Sequence, residues 1–67
     1  MNNISDEILI RHALLSSIEK EVLLIKKYEE YQLSNDRSDL KEMLKEFKKI
    51  SEEHIEMIKN KLQKFSS

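Results

Sequence analysis

The sequence predicts an all-α fold: an antiparallel helical hairpin that dimerises into a four-helix bundle. Three observations carry that expectation. The 67 residues include no Gly and no Pro, and Leu, Ile, Glu and Lys dominate, a composition suited to long uninterrupted helices. Two stretches repeat apolar residues at helical spacing on either side of a polar segment, residues 33–39. The first stretch also carries an apolar arc too wide for one neighbouring helix to cover. At 8.0 kDa the chain has room for one domain, residues 1–67.

The elements follow in order. A first helix is expected over about residues 5–34, with Ser5 or Asn3 as N-cap. Asp6 and Glu7 in its first turn complement the helix dipole. The turn is expected at about residues 35–37, with Asn35 in the left-handed position that usually falls to Gly. Asp39-Leu40-Lys41-Glu42 reads as a capping box, Ser38 and Asp36 being alternative caps. A second helix should run over about residues 38–65, with Lys59, Lys61 and Lys64 placing positive charge in its last turns. Each helix would be about 40–45 Å long, and so short a connection makes them antiparallel neighbours.

At about 100° per residue, the second helix gathers Leu40, Met43, Leu44, Phe47, Ile50, Met57, Ile58, Leu62 and Phe65 into a stripe roughly 160° wide. In the first, Ile4, Ile8, Leu14, Leu15, Ile18, Val22 and Ile25 form a stripe. Ile10, Ala13, Leu24, Tyr28 and Tyr31 widen it to roughly 220°. One partner helix cannot cover that arc. Below roughly 70–80 residues a single core also seldom supplies more than about 3–5 kcal/mol without a disulfide, a metal or oligomerisation. The expected partner is a second copy of the chain, with Ile18, Val22, Ile25, Phe47, Ile50 and Ile58 in the oligomer core.

Composition excludes several classes of function. The chain has no Cys, so it has no disulfide framework, no thiolate nucleophile and no Cys-based metal site. Without Gly it cannot build the phosphate-cradling loops of nucleotide and dinucleotide sites. Its 12 basic and 13 acidic residues are interspersed; residues 36–67 carry 8 basic and 7 acidic groups, which is no nucleic-acid face. The polar, acidic start is unlike a secretory signal, and Ile8-Leu9-Ile10 and Val22-Leu23-Leu24-Ile25 are too short to span a bilayer. The expected setting is cytoplasmic, with neither nucleic acid nor membrane as partner.

Polar residues on the apolar stripes are the candidates for function. His54 lies near the middle of the second stripe, with Ser51 one turn earlier, and Glu21 falls within the first arc. Arg11 and Glu29 project toward that arc nearer its ends. Counting back from the turn puts Glu21 and His54 within about one helical turn of each other, roughly 5 Å along the axis. Buried Glu and His usually pair, because an unpaired buried charge is costly, and such a layer can fix register in an interchangeable core. Other residues have plainer readings. Met43 and Met57 are expected as core filler, and Tyr28 and Tyr31 at the bundle edge with wet hydroxyls. His12 should be solvated, Ser16-Ser17 lacks the partners of a nucleophile, and Lys48–Glu52 and Lys49–Glu53 form i,i+4 pairs.

The segment Ser51-Glu52-Glu53-His54-Ile55-Glu56-Met57-Ile58 resembles the second-helix motif of the ferritin-like and rubrerythrin families. Glu21 with Leu24, Lys27 and Tyr28 is similar to their first-helix segment. The resemblance covers about residues 8–62, half of the usual four-helix domain, and some members of those families are two-helix chains that complete the bundle by dimerising. It implies a metal site for iron, manganese or zinc assembled across a dimer from Glu21 and His54 of each copy. Ser51 stands where the family's bridging Glu would fall. No constellation in the sequence argues for catalysis, and no cofactor other than such a metal is implied. The expected role is structural or protein-binding, exercised through self-association, with a further protein partner left open.

Overall fold

The computed structural model describes residues 3–66, with side chains from residue 6 to residue 65. Two α-helices account for almost all of them: α1, Asn3–Leu33, and α2, Ser38–Ser66. They pack side by side as an antiparallel hairpin measuring 53 × 16 × 14 Å. No helix among the described residues is long and apolar enough to cross a membrane. The backbone of α1 starts upstream of the expected position, at Asn3, so Ser5 falls inside the helix. The side chains of Asn3, Ile4 and Ser5 lie outside those described.

The turn differs from expectation in its chemistry. No described residue has positive φ, so Asn35 does not adopt the left-handed conformation. Side chains do that work. Ser34 donates its backbone N–H to the Glu30 carbonyl at 3.1 Å, and its Oγ donates to the same carbonyl at 3.0 Å. Both bonds converge on one carbonyl in the last turn of α1, and the same hydroxyl lies 3.4 Å from a second, that of Tyr31, where orphan acceptors need partners. Asn35 Oδ1 then accepts the Arg37 N–H at 3.0 Å, an Asx-turn that redirects the chain without a positive φ. Helix α2 opens with the Lys41 N–H donating to the Arg37 carbonyl at 3.1 Å. The Asp39 carboxylate is taken by the Arg37 guanidinium, at 2.8 and 3.3 Å, so the expected Asp39–Glu42 capping box gives way to a local ion pair.

The seam between the helices follows a heptad rhythm. The α1 side of the seam runs through half-buried Leu14, Ile18, Glu21, Ile25, Tyr28 and Gln32, with half-buried Ser17 beside it; the α2 side runs through buried Leu44 and Ser51 and half-buried Lys48, Ile55, Ile58 and Leu62, with half-buried Leu40 one turn before them. Both series alternate steps of four and three residues, the spacing that keeps two supercoiled helices in contact. Only Leu44 and Ser51 reach full burial among the described residues. Ser51 is the more buried, at 4 % exposure, because its small side chain lets the backbones approach where a larger one would hold them apart.

Almost no core results. Among the described residues fourteen large hydrophobic side chains remain exposed, including Ile10, Val22, Leu24, Phe47, Ile50 and Met57. The accessible surface is 5611 Å², against about 4,450 Å² for a compact monomer of this mass. The radius of gyration is 15.8 Å, against about 11 Å for a compact chain of this length.

Candidate functional site

Glu21 and His54 meet at mid-height of the hairpin. His54 Nδ1 and Glu21 Oε2 are 3.0 Å apart, and the side chains keep 49 % and 19 % of their surface exposed, respectively. The carboxylate comes from the seam of α1. The imidazole reaches it from α2 one helical step outside the seam, so one edge of the ring is open. Around them lies a shallow groove of about 170 Å³ lined by Leu24, Tyr28, Phe47, Ile50 and Ser51. Tyr28 and Phe47 meet one turn toward the loop, their ring centroids 5.8 Å apart at 54°, a tilted arrangement favoured by aromatic quadrupoles. Ser17 does not join the site, since its Oγ donates to the Ala13 carbonyl at 2.9 Å.

The opposite side of the seam carries a different chemistry. Lys48 occupies a seam position and reaches Glu29 on α1, Nζ to Oε2 at 2.9 Å. The Glu29 carboxylate, by its hydrogen bond and then by its charge, raises the Lys48 ammonium above its usual range; Glu52 adds to this and burial opposes it. Lys48 was expected to pair with Glu52 along α2. The cross-helix carboxylate takes the hydrogen bond because Lys48 points into the seam. Nearer the turn, Gln32 Nε2 donates to the Lys41 carbonyl at 3.2 Å, tying the helices together again. Lys48 and Gln32 fall on the four–three rhythm of their helices, a signal that picks them out once the seam is known.

The remaining sequence-based candidates divide by position. Ile18, Ile25 and Ile58 lie in the hairpin seam, whereas Val22, Phe47 and Ile50 are exposed beside it. Met43 and Met57, expected as core filler, are exposed at 44 % and 55 %. Tyr28 is half-buried in the seam and Tyr31 is exposed; His12 is exposed, beside Ile8, Arg11 and Leu15. Among the described residues no three His, Cys, Asp or Glu side chains converge as metal ligands. Glu21 and His54 are two donor groups in contact with each other, fewer than the three that a metal site would draw on. No buried side-chain polar atom among the described residues lacks a hydrogen-bond partner.

This geometry defines a class, the two-helix antiparallel coiled-coil hairpin with a polar pair at its middle. Compared with known proteins, the chain matches no family model, no curated protein and no solved structure.

Proposed function

We propose that this chain is a self-associating helical-bundle protein with a structural or protein-interaction role, its working form a dimer of hairpins closed into a four-helix bundle. One observation carries the reading: the hairpin buries a single hydrophobic side chain and leaves fourteen large ones exposed among its described residues. Monomeric soluble proteins seldom leave large apolar patches uncovered, and a second hairpin is the simplest cover. Sedimentation at micromolar concentration tests it. A dimer or larger species is expected, with helicity that falls on dilution as the bundle comes apart. A helical, sharply melting monomer overturns the reading.

The Glu21–His54 contact favours a second reading, a ferritin-like metal protein whose site forms across the dimer. Two copies would bring two carboxylates and two imidazoles together, a donor set suited to zinc, iron or manganese. Ser51 supplies no carboxylate where such a site would want one, so the structural reading of the pair as a register-fixing polar layer stands first.

A further inference from the structure

We propose that a second copy of this chain seats on the flank formed by Leu24, Tyr31, Phe47, Ile50 and Met57, with α1 of each copy lying antiparallel along α2 of the other and both turns at the same end. The proposal rests on the self-association reading above and specifies the surface and geometry that reading leaves open.

The surface follows from the stripes beside the seam. On α2, Phe47, Ile50, His54 and Met57 repeat the three–four spacing of the seam but lie to one side of it. On α1, Lys20, Leu24, Lys27 and Tyr31 do the same. Both stripes belong to one flank, because the groove over the Glu21–His54 pair has Leu24 on one wall and Phe47 and Ile50 on the other. All the large apolar members are at least 40 % exposed. These residues run about 10 Å along α1 and about 15 Å along α2, the apolar centre of a side that is 53 Å long and 16 Å wide overall. The other flank is mixed: it carries the Glu29–Lys48 ion pair beside Lys45, Glu52 and Lys59 along α2, and only α1 offers exposed apolar residues there, Ile8, Leu15 and Val22.

Charge selects the orientation. Lys20 and Lys27 are the charged members of the α1 stripe, and Glu46 and Glu53 stand on the outer edge of the α2 stripe. All four are exposed, and none is in an ion pair with another described residue. Glu21 is level with His54 and Tyr28 with Phe47, so Lys20 and Lys27 stand within a turn of the heights of Glu53 and Glu46. Placing α1 against the second copy's α2 therefore sets each lysine beside a glutamate. The other two-fold arrangement, α1 against α1 with the turns at opposite ends, centres on the middle of the hairpin and brings Lys20 against its own copy. Complementary edges of this kind choose between orientations of similar apolar burial. Because the Glu21–His54 pair also stands at mid-height, the chosen arrangement puts the two pairs in one layer, polar against polar. The free edge of each imidazole then faces the interface.

A label in the turn distinguishes the arrangements. The chain has no cysteine, so Asp36→Cys, at an exposed turn residue, carries one nitroxide per copy. Pulsed electron–electron resonance on the dimer should give a separation of about 25 Å or less, the width of a bundle whose axes are 8–10 Å apart. A dimer with labels near 53 Å, the length of the hairpin, overturns this geometry while leaving self-association intact. A monomer by sedimentation overturns both. Charge reversal supplies the second readout. Lys20→Glu should raise the dissociation constant about tenfold, the scale of one or two surface ion pairs made repulsive, and Glu53→Lys in the same chain should restore it. Lys20→Glu without effect, or a double variant no tighter than the single, overturns the proposed edge pairing.

Discussion

The two flanks of this hairpin are built from the same helices at the same heights, yet they present opposite chemistry. On one, Phe47, Ile50 and Met57 of α2 lie next to Leu24 and Tyr31 of α1, all exposed, with a single polar pair at the centre. On the other, α1 still offers Ile8, Leu15 and Val22, but α2 turns Lys45, Lys48, Glu52 and Lys59 toward them. The difference lies in where the seam cuts each apolar arc. On α2 it runs along one edge of the arc, through Leu44, Ser51 and Ile58, and leaves the rest uncovered on one side only. On α1 it runs nearer the middle of a wider arc, so apolar residues spill out on both sides. A hairpin so divided has one flank suited to a partner and one that holds itself together with charge.

The comparison breaks most visibly with an aspartate placed on each flank in turn. Phe47→Asp puts an unpaired charge at the centre of the apolar flank, where burial against a second copy would cost several kcal/mol. It should shift the dissociation constant more than a hundredfold in sedimentation. Leu15→Asp, on the opposite flank and similarly exposed at 47 %, should change it by less than threefold. Equal effects would mean that the two flanks do not differ as interaction surfaces.

The polar pair at the centre of the apolar flank gives a smaller effect with a sharper division. As a structural layer, it should leave the melting temperature unchanged on addition of Zn(II), Mn(II) or Fe(II), and His54→Leu should stabilise the bundle or leave it unchanged. As a metal site, it should raise the melting temperature in proportion to metal bound, an effect that Glu21→Gln and His54→Leu would each abolish. Ser51→Glu restores the missing carboxylate. Failure of that variant, folded, to gain metal affinity would leave the ferritin-like likeness as a coincidence of amphipathic pattern.

Much of the architecture was legible in the sequence because it rests on local signals. Both helices, the polar break between them and the pairing of Glu21 with His54 follow from periodicity and from counting back from the turn. What periodicity cannot supply is the position of the neighbour within an arc. The α2 stripe is broad enough to dock along its centre, at Phe47 and Ile50, or along its edge. The edge is used because Ser51 permits close approach there and Lys48 finds Glu29 across it. For the same reason Met43 and Met57, which read as core, are exposed in the hairpin. Asn35 misled in another way: its composition signal was right for a turn, but its side chain serves as an acceptor for the Arg37 N–H and so makes a left-handed backbone unnecessary.

The charged flank can be probed by pH, with the smallest of these effects. Glu29 raises the Lys48 ammonium above its ordinary value of 10.5. A lysine that binds its proton more tightly in the folded chain contributes stability that is fully present below its unfolded value and is lost as pH rises through its folded value. Between neutral pH and about pH 10 the contribution is constant; above that it fades. The melting temperature should therefore fall as the pH rises above about 10, and part of that fall should vanish in Lys48→Met, which keeps an apolar stem of similar length in the seam. Glu29→Gln should remove the same part. Because the pair is partly exposed, with Lys48 and Glu29 side chains at 32 % and 48 %, solvent and salt screen it, and 0.5 M salt should erase most of the difference between wild type and variants. A difference that survives high salt would mean Lys48 is held by burial in the seam more than by its carboxylate. The charged flank would then owe its order to packing, as the apolar flank does.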